Sequence, residues 1–577
     1  LFYLKNKKPV KRILLYGLDK KSVRDALNKL ENNQKFFPLY QSGVARGRAD
    51  WLVGINSTRA YTLLSQKNGY RGVLSVGRVQ SPTLAIVVNR DELIENFVPQ
   101  NYFLVIGEFN KGKTFNAWWK AQDNTPNEWL DEESRIKNKE VAENIANKVK
   151  NKNGVISKYE ERIGEEGPPL PFNLSKLQSY ANSKWGFSAK EVLDLCQSLY
   201  EKGLQSYPRS DCQYLPENLF PASKEILDEL SNIDQLKNSA SGADHQLKSA
   251  AWDDKKIGEH YGIIPTGEKI DNKNLSAKEM KIYLAVCERY IAQFYPNCKF
   301  KAAVLEIEVE KELFKATGRV ILIPGWRSVF MEEKDDDEEE VDEKEQVFPD
   351  LKQGDKILCS NAKVEAKKTK PPGRFTDGTL IKAMTNVHTL VKDPEKRKKL
   401  KEIKGIGREA TRTQIIEALV SRKLLNRQGK QLISSPAARI LVKNLPASIT
   451  DPALTAIWEN GLEKIAANQL DFNLFMEKQI AWVTKIISDA KSGQIEIKVE
   501  NNNINNTENK NKTEKDKAKQ QQKYQNLAKK SQVNEGDSCP ACKKGKMVKK
   551  VGKNTGKEFL GCSTWPKCQF VSWINKK

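Results

Sequence analysis

The C-terminal cysteines form the clearest chemical pattern in the chain. They occur as two close pairs, Cys539 with Cys542 and Cys562 with Cys568, and nineteen residues separate the pairs. Four thiolates at this spacing suit the tetrahedral coordination of structural zinc. A site with four protein ligands leaves no position for a reacting water. The sequence therefore predicts a structural Zn²⁺ site.

The same segment is basic and carries three large aromatic residues. The lysines are Lys543, Lys544, Lys546, Lys549, Lys550 and Lys553. We expect Trp565, Phe570 and Trp573 to be exposed, so that bases can stack on them while the lysines contact phosphates. The pattern thus predicts a single-strand binding surface, although aromatic residues also form the core of small ribbons.

Residues 206–211 combine a tyrosine with an arginine. The residue before a proline favours an extended conformation, so Tyr207 need not join a helix face. Arg209 reaches the same side two residues later and offers a planar guanidinium to a phosphate. Positive charge favours a phenolate and neutralises transition-state oxygens, so the pair suits nucleophilic attack on a phosphodiester. On spacing alone, most such triplets are ordinary turns.

A third pattern lies at residues 259–266, where His260 precedes Tyr261 and Gly262. Only three histidines occur among 577 residues. A histidine beside a glycine-containing turn can bond a phosphate or transfer a proton. Taken by itself, His260 fits an ordinary loop histidine equally well.

Charge and hydropathy limit the class of protein. The formal net charge is +23, although residues 332–345 alone hold eleven acids and two lysines and predict a solvated acidic loop. Such a cationic excess favours a polyanionic partner. No run approaches the ~20 apolar residues that span a bilayer, so we expect no membrane association. The five other cysteines have no close partner in the sequence, and we expect reduced thiols.

The elements around these motifs indicate one domain inserted into another. Aromatic and β-branched residues at 102–119 and 302–323 predict strands on either side of a helical segment at about 174–294. Residues 379–487 are helical in pattern and include a hairpin centred on 427–430. Residues 501–532 are almost free of apolar side chains, which predicts a disordered linker.

Seven segments in this order resemble the type IA DNA topoisomerases, most closely bacterial topoisomerase III. The segments are 45–59, 75–83, 171–178, 186–189, 206–211, 259–266 and 405–412. The resemblance covers residues from about 8 to 490, together with the zinc ribbon. It implies a multidomain α+β toroid that opens to pass DNA.

The resemblance also implies a domain organisation. We expect the C-terminal remnant of a Toprim domain at 1–35, a helical groove domain at 36–97 and 371–490, and a strand-rich arch domain at 98–170 and 297–370. A nucleophile domain at 171–296, a disordered linker at 491–535 and a C4 zinc ribbon at 536–577 complete the chain.

By resemblance, three residues form the cleavage site. Tyr207 matches the nucleophile that makes a 5′-phosphotyrosine link, Arg209 the phosphate-positioning arginine and His260 the histidine of the pocket. The link stores the energy of the broken bond, so strand passage and religation need no ATP, and the enzyme relaxes negative supercoils and unlinks DNA. The residues expected to bind DNA along a single-strand groove are Arg46, Arg48, Asp50, Arg78, Gln80, Ser81, Arg408, Thr411 and Arg412.

The resemblance further implies Mg²⁺, held by a glutamate and an Asp-x-Asp-x-Glu cluster of the Toprim domain. Residues 335–339 spell that pattern, but they lie in a low-complexity acidic run without a strand to hold them. We therefore expect the magnesium ligands to lie outside this chain. Since the chain opens at Leu1 after the expected acidic cluster, we predict that it binds single strands and fails to relax supercoils.

The remaining expectations concern partners and alternatives. We expect a monomer that acts on single-stranded or negatively supercoiled DNA in the bacterial cytoplasm, on nucleoid or plasmid. The alternative is a non-catalytic single-strand binding protein that has lost its Toprim domain. A tyrosine recombinase fits poorly, because its nucleophile follows its arginines and histidines, whereas Tyr207 precedes His260.

Overall fold

The computed structural model describes residues 8–13, 20–67, 72–258, 260–270, 274–330, 346–391, 394–401, 405–491, 533–551, 558–565 and 568–573. These residues belong to two compact units, Leu1–Lys498 and Val499–Lys577. The acidic run and most of the predicted linker lie outside the described residues. No helix of the described part is long and apolar enough to cross a membrane.

Sixteen α-helices occur in the described residues. They are α1 Lys20–Leu27, α2 Phe37–Lys67, α3 Gln80–Glu95, α4 Lys139–Val149, α5 Leu174–Trp185, α6 Ala189–Glu201, α7 Ser223–Leu230, α8 Lys237–Ser241, α9 Ala277–Ile291, α10 Asp377–Thr385, α11 Pro394–Lys401, α12 Glu409–Ser421, α13 Pro436–Asn444, α14 Ala447–Thr450, α15 Pro452–Ala466 and α16 Phe472–Lys491.

Thirteen strands occur in the same described residues. They are β1 Lys11–Arg12, β2 Glu31–Asn32, β3 Asn101–Asn110, β4 Thr114–Lys120, β5 Lys152–Glu166, β6 Cys298–Val309, β7 Glu312–Ile323, β8 Lys356–Lys368, β9 Leu425–Gln428, β10 Gln431–Ser434, β11 Met547–Val551, β12 Glu558–Cys562 and β13 Val571–Trp573.

Six strands close into an antiparallel barrel in the order β3-β4-β7-β6-β5-β8. Alternate residues point inward, as the period of a strand requires. Phe109, Phe314 and Ile307 are fully buried there, with Ala142 and Val149 of α4 in the same core. The barrel thus joins the two sheet-forming segments that the sequence predicts.

A helical segment lies between two paired strands of this barrel. Strand β5 ends at Glu166, which pairs with Cys298 at the start of β6, so the chain leaves and returns at neighbouring positions. Helices α5 to α9 lie between them around a separate apolar core that includes Leu177, Val192 and Tyr290. This arrangement supports an inserted domain, while the predicted domain boundaries remain predictions.

The other long helices pack around α2. Its buried face repeats small residues, among them Ser42, Ala45 and Ala49, which lets α15 and α16 approach closely. The Ser42 hydroxyl donates to the carbonyl of Leu462 at 2.7 Å. The predicted hairpin is confirmed, with β9 and β10 joined by a turn in which Gly429 has a φ of 57°.

The C-terminal unit contains the three-stranded antiparallel sheet β11-β12-β13. Its core consists of the cysteine side chains with Met547, Leu560 and Phe570. The expectation that Phe570 is exposed is therefore wrong: its ring is fully buried. A ribbon this small has few apolar side chains, so an aromatic ring contributes most as core. Trp565 is 55% exposed and remains available for stacking.

Candidate active site

Tyr207 follows α6 and comes directly before a turn formed by Pro208 and Arg209. Tyr207 and Arg209 are half-buried, whereas Ser206, Pro208 and Ser210 are buried. The expectation that Tyr207 and Arg209 reach the same side stays a prediction.

Ser206 connects this segment to the one that carries His260. Its backbone N–H donates to the carbonyl of Ile264 at 2.9 Å, and its hydroxyl donates to the carbonyl of Gly262 at 2.9 Å. The hydroxyl also accepts from the N–H of Ile264 at 3.0 Å. A buried hydroxyl with all its partners fixes both backbones. Two motifs more than fifty residues apart in sequence therefore lie side by side.

Tyr207 and His260 are in direct contact. Their ring centroids are 4.5 Å apart with an interplanar angle of 36°, and the ring of Tyr200 meets Tyr207 at 5.7 Å and 83°. Arg209 follows Tyr207 by two residues, and its Nε is buried and has no hydrogen-bond partner among the described residues. A buried guanidinium N–H without a partner is costly unless a ligand satisfies it. The structure thus brings Tyr207 and His260 together, and it leaves Arg209 with a vacant donor.

The predicted groove residue Arg78 has very different surroundings. Its side chain is almost completely buried, with Nε 2.6 Å from Asp50 Oδ1 and one terminal nitrogen 2.5 Å from Glu459 Oε1. Arg46 contributes a second pair, 2.6 Å from Glu459 Oε2. Burial acts to raise the pKa of the Glu459 carboxyl, but the charge of Arg78 and the Arg46 hydrogen bond hold that pKa below its usual range. The two arginines and the two carboxylates therefore neutralise one another inside the protein. Three of the four were predicted from the sequence, and Glu459 was not.

Ser81 and Gln80 begin helix α3 and have structural partners. The buried Ser81 hydroxyl accepts the N–H of Gly77 at 3.1 Å. The Gln80 side-chain oxygen accepts from Arg422, which also donates to Ser75 Oγ at 2.7 Å. Gln80 Nε2 is buried and has no partner in the described chain. Both side chains therefore hold the local structure of the predicted groove and expose few groups to it.

Helix α12 carries the third predicted groove segment. Gly405, with a φ of 80°, lies so close to the carbonyl of Met384 that a Cβ would overlap it, so this approach to the helix requires glycine. Arg408 and Thr411 at the start of the helix are exposed. Arg412 is buried and ion-paired with Glu409. Arg408 and Thr411 can therefore contact a ligand without rearrangement, whereas Arg412 cannot.

Arg412 nevertheless connects the groove segment to helix α5. It donates to Ser175 Oγ at 3.1 Å and to the carbonyl of Ile406 at 3.1 Å. Burial lowers the pKa of Arg412, and the charges of Glu409, Asp211 and Glu459 oppose that shift.

Two helices of residues 171–296 begin against carboxylates of residues 371–490, and we call this contact the polar seam. Glu409 Oε1 accepts the N–H of Ser175 in α5 at 2.5 Å, and Asp377 Oδ2 accepts the N–H of Ala189 in α6 at 2.8 Å. Carboxylates at helix N-termini satisfy free N–H groups and complement the helix dipole. Arg427 supports Asp377 at 2.9 Å. The contact is polar and therefore suited to separation.

Two further predicted residues lie near the Arg78 network. Arg48 is exposed on α2, with its guanidinium carbon 5.6 Å from the Phe472 ring centroid. Asp50 is half-buried and serves as a partner of Arg78. Sequence reasoning missed Glu459, Arg422 and the N-capping role of Glu409. Glu409 lay inside a quoted motif, whereas Glu459 and Arg422 have no local signal.

The described residues contain one group of side chains that fits a zinc ion. The Sγ atoms of Cys539, Cys542, Cys562 and Cys568 all lie within 4.8 Å of one another, and no other group of three or more metal-ligating side chains occurs in the described ranges. Four thiols at these distances match a structural zinc site. Residues 335–339 lie outside the described residues, and the expectation that the magnesium ligands lie outside this chain stays a prediction.

Two family models and several named proteins are similar to this chain. A family model described as DNA topoisomerase matches residues 34–477, and one described as Topoisomerase DNA binding C4 zinc finger matches residues 536–577. DNA topoisomerase 3 of Vibrio cholerae is 39% identical over 501 residues, which cover 86% of this chain and 76% of that protein. DNA topoisomerase 3 of Bacillus subtilis is 31% identical over 503 residues, 86% and 67% of the two chains.

A solved structure has a similar fold. Full-length topoisomerase I from Thermotoga maritima matches with a TM-score of 0.60 at 19% identity, over 98% of this chain and 80% of that one. At this identity the likeness concerns the fold alone. It confirms the predicted multidomain α+β architecture, and the family match at residues 536–577 confirms the zinc ribbon.

Proposed function

Since the chain belongs to the type IA DNA topoisomerases, enzymes that act on DNA as isomerases, we propose that Tyr207 is the nucleophile that cleaves one strand. The observation that carries this proposal is the ring contact between Tyr207 and His260, on two segments that the buried Ser206 hydroxyl holds side by side. Arg209, two residues after Tyr207, adds a buried guanidinium Nε without a partner among the described residues.

The proposed reaction is a reversible exchange of phosphodiester bonds. The Tyr207 oxygen loses its proton and bonds to phosphorus, the bond from phosphorus to the 3′ oxygen breaks, and that oxygen takes up a proton. Arg209 donates to the phosphate and stabilises the charge of the transition state. His260 lies against the Tyr207 ring, where it can accept or return a proton. One ester replaces another, so religation needs no ATP.

Passage of a second strand requires a gate that opens. We propose that the polar seam is this gate. Hydrogen bonds and ion pairs can be replaced by water when the two faces separate, whereas an apolar contact of equal area resists opening. We propose that the enzyme prefers single-stranded or negatively supercoiled DNA and acts as a monomer on nucleoid or plasmid DNA in the cytoplasm.

The experiment that tests the nucleophile is capture of the covalent adduct. Full-length protein is incubated with radiolabelled single-stranded DNA and Mg²⁺, denatured and separated by electrophoresis. Wild type should retain label, and Tyr207→Phe should retain none, because it lacks the attacking oxygen. Tyr214→Phe, seven residues away, is the matched control and should behave as wild type. Labelled adduct with the Tyr207→Phe variant would reject the assignment.

A further inference from the structure

A cavity of about 240 Å³ lies beside the Arg78 network. Of the predicted site residues, only Arg78 is among the residues that line it. We call it the tryptophan pocket, because two indole rings, those of Trp458 in α15 and Trp482 in α16, line it. Their ring centroids are 5.2 Å apart and their planes meet at 64°. Two flat apolar faces at this angle form a corner in which a planar ligand can stack on one ring while its edge meets the other.

The corner is rigid on one side. The guanidinium carbon of Arg78 lies 5.0 Å from the Trp458 ring centroid, a cation–π distance. Asp50 and Glu459 hold that guanidinium in turn. Since Trp458 is fixed before any ligand arrives, binding on it costs little ordering entropy.

The pocket also contains polar groups suited to recognition. Gln479 is 94% buried and lines the cavity. A carboxamide offers one donor group and one acceptor, the pattern that pairs with the edge of a nucleobase. Lys478 is exposed at the rim, where an ammonium can contact a phosphate.

We propose that the tryptophan pocket binds one nucleobase of a single strand, with the base stacked on Trp482 or Trp458 and its edge read by Gln479. The proposal rests on the proposed function, which makes single-stranded DNA the ligand. Its place agrees with that function, because Arg78, which lines the pocket, belongs to a segment expected to bind a single strand. The pocket would give the enzyme a base preference at one fixed distance from the cleaved phosphate.

Homopolymer binding tests the pocket without requiring cleavage. Labelled 12-mers of dA, dC and dT and an abasic 12-mer are titrated with the full protein, because a homopolymer presents the same base in every register. Trp482→Ala should weaken binding of the base-bearing 12-mers by about tenfold, the usual loss of one base–aromatic stack, and leave the abasic 12-mer unchanged. Equal losses on all four oligonucleotides, or no loss on any, would overturn the proposal.

Two isosteric variants separate recognition from packing. Gln479→Glu keeps the volume but replaces the amide donor, so it should change the order of affinity for dA, dC and dT by several-fold. Gln469→Glu, the same change at an exposed position before α16, should alter no ratio. Unchanged ratios in Gln479→Glu would refute base reading. A wild type that binds none of the oligonucleotides would instead contradict the single-strand preference in the proposed function.

Lys478→Gln examines the rim. Loss of one phosphate contact should weaken all four oligonucleotides alike and reduce the slope of log affinity against log salt by about one. A variant with an unchanged salt slope would remove Lys478 from the site.

Discussion

Arg209 near Tyr207 and the arginines near Glu459 differ in whether their guanidinium groups still have a hydrogen-bond donor without a partner. Arg209 has a buried Nε without a partner among the described residues, whereas Arg78 and Arg412 are ion-paired with Asp50, Glu459 and Glu409. A guanidinium with vacant donors can bind a phosphate at once, and one enclosed by carboxylates must first exchange partners. We therefore predict that fewer arginines contact DNA directly than the sequence motifs suggest.

The largest expected effect is the loss of stability from opening the Arg78 network. Arg78→Ala leaves the buried Glu459 carboxylate with one partner fewer, and it should lower the free energy of unfolding by about 3–5 kcal/mol. Urea denaturation followed by circular dichroism measures it. The exposed Arg48→Ala is the control and should change stability by less than about 0.5 kcal/mol. Equal stability of the two variants would contradict the contrast between paired and available arginines.

The next effect is on chemistry at Arg209. Arg209→Ala should slow adduct formation by about 10²-fold, because a donor aimed at the transition-state charge is lost. Its unfolding midpoint should stay close to that of wild type, since the buried Nε of Arg209 has no hydrogen-bond partner to lose among the described residues. Quenched-flow capture of labelled adduct gives the rate. A variant that is unstable but cleaves at the normal rate would place Arg209 with the structural arginines.

A smaller effect is the pH dependence of the Glu459 network. The folded-state pKa of Glu459 is held below its usual value, so its contribution to stability is complete above about pH 4.5 and is lost as pH falls through the folded pKa. The stability difference between wild type and Glu459→Gln should therefore shrink below about pH 4.5. Urea titrations at pH 3.5, 4.5 and 7 check this. A constant difference would show that the carboxylate charge contributes nothing.

The smallest effect is expected at the exposed end of α12. Arg408→Ala should weaken single-strand binding only a few-fold and lower the salt slope by about one, the signature of one phosphate contact. Fluorescence anisotropy at several salt concentrations measures both. Arg422→Ala, whose side chain bonds Ser75 and Gln80, serves for comparison. If the Arg408 variant keeps the full slope, exposure is not sufficient for contact with DNA.

Local patterns explain which parts of the fold the sequence could predict. The hairpin at β9 and β10 and the four cysteines depend on residues near one another in the chain. Tyr207 and Arg209 are only two residues apart, so a local pattern was enough to select them as candidates, and their roles in cleavage stay predictions. Exposure of Phe570 was predicted wrongly, because whether an aromatic residue serves as core or surface depends on how few apolar neighbours the folded ribbon supplies.

The sequence by itself determined the family and the zinc ligands, since each depends on residue type and short spacing, and it supplied Tyr207 as the proposed nucleophile. Only the tertiary structure decided which arginines are available. Glu459 pairs with Arg46 and Arg78 across 413 and 381 residues of chain, and no local pattern records a partner at that distance. The tryptophan pocket has the same origin, because α15, α16 and Arg78 form its walls only when the helices pack.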